Sequence, residues 1–118
     1  MDAKRFFTTA VPSIVARDFE QFMTLNGVIA CKVKGEGAWT LRFGDVEAPI
    51  TDGFDPRADL KIWFTKEGFD ALVNGDGNMR KIVMKGEIAF AGDVTYLQRF
   101  GYLLSPGGSP LATRIGAF

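Results

Sequence analysis

One stretch of the sequence decides the fold: Ile82-Val83-Met84-Lys85-Gly86-Glu87-Ile88-Ala89-Phe90-Ala91-Gly92-Asp93. Its first residues complete a short helix with apolar side chains at helical spacing. Gly86 then opens a strand over residues 87–91, in which Ile88 and Phe90 point to the same side. A second glycine turns the chain, and Asp93 is well placed as the N-cap of a last helix that ends near Leu104. The stretch therefore predicts a strand that connects two helices.

Upstream of this stretch, apolar and polar residues alternate with the period of two that is typical of strands. Three short runs joined by tight polar turns predict an antiparallel meander with one buried face, and a fourth strand is predicted over residues 59–65. The apolar positions of these four runs are Ile29, Cys31 and Val33; Trp39, Leu41 and Phe43; Val46, Ala48 and Ile50; and Leu60, Ile62 and Phe64. The polar row that an uncovered sheet face would show is Lys32, Lys34, Arg42, Glu47 and Lys61.

Two further helices are predicted outside the strands. The first covers about residues 12–25, because Pro12 suits a first helical position and Asn26-Gly27 suits a helix end. The second is capped by Thr65 and ends near Asn74-Gly75. This order of elements predicts an α+β fold in which a five-stranded antiparallel sheet carries helices packed on one face. The apolar stripes of the helices contain Val11, Ile14, Val15, Phe19, Phe22 and Met23; Phe69, Leu72 and Val73; Met79, Ile82 and Val83; and Tyr96, Leu97, Phe100, Leu103 and Leu104.

The length of the chain suits one domain with one hydrophobic core, since 118 residues are too few for two ordinary domains. We therefore expect a single domain over residues 1–118. The run Ser105-Pro106-Gly107-Gly108 stops the last helix. Residues 105–118 are expected to form a flexible tail with the apolar residues Leu111, Ile115 and Phe118.

Composition excludes several classes of function. Lys plus Arg equals Asp plus Glu at 14 each, so the chain lacks the basic stripe of nucleic-acid binding and the polybasic excess that would hold it on an anionic membrane. The chain has no histidine and one cysteine, which rules out Ser-His-Asp and Cys-His systems and zinc sites of the usual ligand sets. We expect no cofactor and no metal. Because no apolar run suits a membrane span or a secretory signal, we expect a cytoplasmic protein without stable membrane insertion.

The stretch from Ile82 to Asp93 resembles the signature of the sterol-carrier-protein type 2 family, in which a hydrophobic helix end, a glycine, an alternating strand and a second glycine lead into the last helix. Two upstream runs resemble the second and fourth strands of that family: Gly37-Ala38-Trp39-Thr40-Leu41 and Ala58-Asp59-Leu60-Lys61-Ile62. The order of helices and strands agrees too, so the resemblance covers roughly residues 10–104.

This resemblance implies an apolar tunnel between the sheet and the helices. Members of the family bind sterols, fatty acids, acyl-CoA esters or other lipids, and transfer or present them without chemistry. Related stand-alone bacterial domains hold polyprenyl intermediates of ubiquinone biosynthesis. We therefore expect a non-enzymatic lipid carrier.

The expected tunnel lining combines residues from both layers. From the strands it takes Cys31, Leu41, Phe43, Ile62, Phe64, Ile88 and Phe90. From the helices it takes Phe22, Phe69, Leu72, Met79, Ile82, Leu97, Phe100 and Leu104. An empty apolar space of about 300 Å³ would destabilise the fold by on the order of 7 kcal/mol, so such a space either holds lipid or collapses.

Other interpretations of the same residues stay open. The bulky apolar residues equally suit a closed, well-packed core, and Cys31 suits a buried small apolar residue better than a nucleophile. A small isomerase-like enzyme would need Asp93 as a base beside Tyr96 or Tyr102. A third possibility is a protein-interaction module with a vestigial pocket.

Apolar residues on the outer face of the sheet suggest a homodimer. Val28, Ala30, Ala89 and Ala91 occupy outward strand positions, so the protein is a candidate homodimer through this face. On the helices, the cations Arg80, Lys81 and Lys85 suit either a solvated helix face or contacts with a lipid carboxylate or CoA phosphates. The apolar tail either plugs the tunnel or stays disordered.

Overall fold

The computed structural model of the protein describes residues 2–17, 20, 23, 26–44, 48–75 and 79–97. The elements are, in chain order, α1 Ala3–Arg5, a π-helical segment Phe6–Ala10, α2 Val11–Arg17, β1 Gly27–Val33, β2 Gly37–Phe43, β3 Ile50–Asp52, β4 Leu60–Phe64, α3 Lys66–Val73, α4 Met79–Met84, β5 Ile88–Gly92 and a 3₁₀ turn Val94–Tyr96. They confirm the predicted α+β architecture. The predicted features that fall outside the described residues are Phe19, Phe22, Val46, Glu47, Phe100, Tyr102, Leu103, Leu104 and the tail 105–118.

The N-terminal helical segment begins well before Pro12, where the sequence predicted its start. The Asp2 carboxylate accepts a hydrogen bond from the Arg5 amide at 2.8 Å and so caps the segment. The π-helical segment Phe6–Ala10 ends two residues before Pro12 and contains Thr8, whose carbonyl the proline ring would meet in a regular α-helix. The predicted start was wrong, because the wider turn lets proline stand inside the helical segment.

The five strands form one sheet in the order β3-β2-β1-β4-β5. The pairs β1–β2, β2–β3 and β4–β5 are antiparallel, which confirms the predicted meander, whereas β1 and β4 run parallel. The sheet is therefore mixed and mostly antiparallel, not wholly so as predicted. The reason is the route of the chain, which leaves β3 at one edge and crosses to the other side of β1. Of the predicted third-strand residues that the structure describes, Ile50 belongs to β3 and Ala48 precedes it.

The crossover, residues 53–59, passes over the outer face of the sheet. The Thr40 hydroxyl donates to the Gly53 carbonyl at 2.8 Å and accepts from the Asp55 amide at 3.0 Å. The Asp55 carboxylate lies 3.2 Å from the Arg42 guanidinium, which also donates to the Thr51 hydroxyl at 2.7 Å. These contacts bury the Thr40 side chain, so the face that was predicted to be uncovered is covered at its centre.

The same crossover changes the expected apolar outer face. Phe54 packs on Trp63 with ring centroids 5.5 Å apart, and Ala30 is fully buried. Ala30 therefore cannot contribute to an exposed dimer surface, contrary to expectation. Val28 is half-buried and Ala89 is exposed. A homodimer through this face stays a prediction.

Local capping follows the sequence closely. The Thr65 hydroxyl accepts a hydrogen bond from the Gly68 amide at 2.9 Å at the start of α3, and Asn74 ends that helix. After β5, the Asp93 carboxylate accepts from the Thr95 amide at 3.0 Å. Asp93 thus caps the 3₁₀ turn Val94–Tyr96, and residues 98–104 of the helix that it was predicted to cap lie outside the described residues.

Candidate ligand-binding site

The inward side chains of the sheet form rows that run across the strands. The register places Cys31 between Trp39 and Ile62, with Phe90 beyond Ile62. Because alternate residues of a strand share one face, these rows form a continuous apolar floor. Its buried members are Ile29, Cys31, Val33, Trp39, Leu41, Phe43, Leu60, Ile62, Phe64 and Ile88.

An aromatic cluster centred on Phe69 joins the helices to this floor. The Phe69 ring lies 5.7 Å from Phe6, 5.9 Å from Phe7 and 5.3 Å from Phe64, measured between centroids. Phe7 stacks on Trp39 at 4.7 Å with an interplanar angle of 17°. Such contacts stabilise an interface beyond the apolar area they bury. The cluster therefore holds the N-terminal segment and α3 against the sheet.

Most of the predicted lining residues meet in this helix–sheet interface. Those that are buried there are Cys31, Leu41, Phe43, Ile62, Phe64, Phe69, Leu72, Ile82, Ile88 and Leu97, and Phe90 is half-buried. Phe22, Phe100, Leu104 and the side chain of Met79 lie outside the described residues. That these residues line a cavity for a ligand stays a prediction.

Sequence reasoning missed the contribution of the N-terminal residues. Phe6 and Phe7 are both buried in the core. A signal was present, because Phe7, Val11, Ile14 and Val15 follow the helical spacing i, i+4, i+7 and i+8.

A groove of about 610 Å³ lies between the N-terminal segment and the edge formed by β2 and β3. Phe7, Trp39 and Ile50 supply its apolar walls, and Phe7 and Trp39 also belong to the buried interface. The charged residues at this groove are Lys4, Glu36 and Asp52; Thr8, Pro12 and Gly37 complete the lining. The groove thus reaches from a polar rim to the aromatic side chains of the core.

Gly37 is necessary for the shape of this groove. Its φ of +143° is rarely adopted by other residues, and a Cβ there would lie 3.1 Å from the Trp39 indole. A side chain at this position would press on the ring that forms the groove wall.

Two further grooves of about 400 Å³ each open elsewhere. The first is mainly acidic and is lined by Asp2, Glu36, Lys66, Glu67, Phe69 and Asp70. The second lies on the outer face of the sheet and is lined by Lys32, Lys34, Trp63, Phe64, Thr65, Gly86, Glu87, Ile88 and Ala89. Among the predicted lining residues, Phe64, Phe69 and Ile88 border these grooves.

The chemistry available to the interface is limited. Burial raises the pKa of the Cys31 thiol well above its usual range, so the reactive thiolate does not form there at neutral pH. Within the described ranges, no three His, Cys, Asp or Glu side chains come together as metal ligands. No helix in the described part of the chain is both long and apolar enough to cross a membrane.

The predicted catalytic pair of the enzyme alternative has structural roles. The Asp93 carboxylate is exposed and accepts hydrogen bonds from the amide and the hydroxyl of Thr95, the latter at 2.6 Å. The Tyr96 ring lies directly over Gly27, where it would collide with any Cβ.

Solved structures of sterol carrier proteins share this fold. Sterol carrier protein 2 from Yarrowia lipolytica, in its apo form, is 19% identical over 90% of this chain and 86% of that chain, with a TM-score of 0.61. Palmitated SCP2L2 from Aedes aegypti is 15% identical over 88% of this chain and 95% of that chain, with a TM-score of 0.67. A Thermus thermophilus protein, described as possibly a sterol carrier protein, is 13% identical over 98% and 87%, with a TM-score of 0.59.

Sequence comparison gives the family directly. The search of curated proteins found no match. The model of the SCP-2 sterol transfer family matches residues 16–105, which include the whole sheet and the helices α3 and α4. Because this match covers well over half of the chain, the protein belongs to the SCP-2 sterol transfer family.

Proposed function

We propose that the protein binds one lipid-like apolar molecule between its helices and its sheet, and transfers or presents it without chemical change. The supporting observation is the groove between the N-terminal segment and β2–β3. Its walls include Phe7 and Trp39, which are also part of the buried interface. An apolar chain that enters this groove would therefore contact the core side chains directly.

The size and lining of the groove suit an alkyl or ring-containing lipid. Its volume of about 610 Å³ falls in the usual range for small-molecule pockets, about 300–1,000 Å³. Each methylene that leaves water contributes about 0.8 kcal/mol, so an apolar chain of about twelve carbons gains on the order of 10 kcal/mol before the cost of association. The structural relative from Aedes aegypti is described as palmitated, which supports an apolar ligand in this fold.

The charges at the rim favour a neutral head group over a carboxylate. Lys4 is accompanied by both Glu36 and Asp52, so the rim carries a formal charge of −1. A fatty-acid carboxylate would meet net repulsion there, whereas the hydroxyl of a sterol-like or polyprenyl molecule would not. We infer that neutral lipids bind more tightly than fatty acids of similar apolar area.

The decisive experiment identifies what the protein carries. Native mass spectrometry of protein purified from cells is expected to show a bound lipid, and the delipidated protein is expected to take up a fluorescent sterol. The substitution Ile50→Lys, which places a charge on the groove wall, should reduce that uptake at least tenfold. The matched control Val94→Lys adds the same charge at an exposed position outside the groove and should leave uptake unchanged. Protein that is purified without lipid and takes up none would overturn the proposal.

A paired experiment tests the class of head group. The double variant Glu36→Gln/Asp52→Asn removes both rim carboxylates, so it should strengthen binding of a fluorescent fatty acid and leave sterol binding nearly unchanged. Equal effects on both ligands would contradict the inference about the rim. Transfer of the bound lipid from donor to acceptor vesicles then separates a transfer role from simple presentation.

A further inference from the structure

The two sides of the large groove belong to different parts of the chain. Lys4, Phe7, Thr8 and Pro12 form one side, and all of them lie in the N-terminal segment. The other side comes from residues 36–52, through the β1–β2 turn, β2 and β3. The width of the groove therefore depends on where the N-terminal segment lies relative to β2 and β3.

The N-terminal segment is attached to the rest of the described chain by apolar packing. Phe7 stacks on Trp39, and both Phe6 and Phe7 contact Phe69. Among the described residues, no hydrogen bond or salt bridge joins residues 2–16 to the sheet or to α3. The first part of the segment can therefore leave the sheet without leaving a buried hydrogen-bonding group of either one unpaired.

The helical segment is weakest just after these two phenylalanines. Phe6–Ala10 is π-helical, and the Thr8 hydroxyl donates to the Lys4 carbonyl at 2.6 Å. Such side-chain bonds to the preceding turn bend helices, and π-helical turns are places where helices kink. Pro12 has no amide hydrogen, so it cannot donate to a carbonyl of the preceding turn. These features make residues 9–12 the place where the segment bends most easily.

We propose that residues 2–8 are a gate on the lipid-binding groove, and that they swing away from Trp39 on a hinge at residues 9–12 to admit the lipid. In the closed form the Phe7 ring covers Trp39, which is 5% exposed. In the open form the Trp39 and Phe69 rings face the groove, so an apolar chain passes from the groove into the helix–sheet interface. The purpose of the gate rests on the proposed lipid-carrier function, whereas the opening itself is a property of the ligand-free protein.

A gate of this kind changes rates and leaves the binding equilibrium nearly unchanged. If residues 2–8 close again over the bound lipid, entry and exit both require the same opening. A looser hinge then speeds association and dissociation by the same factor, so their ratio stays constant. A residue that only lined the groove would change the Kd instead.

The first test compares glycine with alanine at Thr9, an exposed hinge residue that does not line the groove. Glycine is less favourable than alanine in a helical segment, so Thr9→Gly should open the gate about fourfold more often than Thr9→Ala. Stopped-flow mixing of delipidated protein with a fluorescent sterol, and displacement of that sterol, should show both rate constants about fourfold higher in Thr9→Gly. The Kd should change by less than about twofold.

The matched control is the same pair of substitutions at Asp70, an exposed position within α3 that does not line this groove. Asp70→Gly and Asp70→Ala should take up sterol at rates within about twofold of each other, because α3 opens independently of the gate. Equal rates in the two Thr9 variants, or an equal glycine effect at Asp70, would overturn the proposal. A glycine effect at Thr9 on the Kd alone would overturn it too.

Hydrogen exchange tests the opening without any ligand. The amides of Phe6–Ala10 should exchange far faster than those of β1 and β2, through an opening distinct from global unfolding. Thr9→Gly should raise their exchange rates about fourfold over Thr9→Ala. Protection of Phe6–Ala10 as high as that of β1 would overturn the gate even if the sterol binds. Exchange as expected, but with no sterol uptake by any variant, would support the opening and count against the lipid-carrier function alone.

Discussion

Cys31 shows how the interface determines the chemistry of a single side chain. It is fully buried in β1 between Trp39 and Ile62, and burial raises the pKa of its thiol. The sequence predicted a buried small apolar residue at this position, because the only cysteine falls on the inward side of an alternating strand. No histidine is present to activate the thiol.

The raised pKa of Cys31 predicts a loss of stability at alkaline pH. The folded state keeps the thiol proton at pH values where the unfolded chain, with a pKa of about 8.5, has lost it. The free energy of unfolding should therefore fall as pH rises above that value, by up to about 1.4 kcal/mol per pH unit from this group. Urea denaturation between about pH 8 and about pH 10 measures it. The variant Cys31→Ala should show a shallower slope, and parallel profiles would contradict the prediction.

A comparison of Gly53 with Gly92 distinguishes the energetic cost of a positive φ from the additional cost of a steric collision. Gly53 and Gly92 have nearly the same φ, +102° and +104°. A Cβ at Gly53 meets nothing within 4 Å, whereas one at Gly92 would collide with the Asp59 carbonyl oxygen. We expect Gly53→Ala to cost about 1–2 kcal/mol, and Gly92→Ala to cost at least about 1 kcal/mol more. Equal losses in thermal unfolding would show that the close approach of β5 to Asp59 is unimportant.

The crossover is the element that separates this sheet from a simple meander. Its contacts with Thr40 and Trp63 cover the outer face. Sequence patterns could not reveal these contacts, because Thr40 occupies an outward strand position at which an exposed polar residue is equally expected. The N-terminal segment presents a similar case: Pro12 suits a helix start, but the packing of Phe6 and Phe7 extends the helix to Ala3.

The hydroxyl of Thr40 should be the feature that holds the crossover in place. Replacement by valine keeps the shape but leaves the Gly53 carbonyl and the Asp55 amide without this partner. We expect Thr40→Val to lower the free energy of unfolding by about 0.5–1.5 kcal/mol for each of these part-buried hydrogen bonds that is lost. Thr40→Ser keeps the hydroxyl and serves as the control in urea denaturation. If valine is tolerated as well as serine, the crossover does not depend on these bonds.

At the scale of the whole molecule, the proposed ligand links binding to stability. A lipid that binds only the folded state should stabilise it by about 2.7 kcal/mol when its free concentration is about 100 times Kd. Delipidated protein should therefore unfold at a lower temperature than protein reloaded with its lipid, as scanning calorimetry would show. Ile50→Lys, with at least tenfold weaker binding, should reduce the difference by about half or more at the same lipid concentration, and Val94→Lys should retain it. An unchanged Tm on reloading would argue against a bound lipid in the folded state.

The sequence by itself determined the order of the elements, the caps at Thr65 and Asp93, and the face that most strand residues take. These features are local, because periods of two and of 3.6 residues and capping chemistry involve neighbours along the chain. Only the tertiary structure decided that β4 lies parallel to β1, that Ala30 is buried and that Lys34 and Gly86 line the same groove. A local pattern specifies which way a side chain points but not which distant segment lies beside it. That choice depends on where the crossover carries the chain, and so on contacts between residues far apart in sequence.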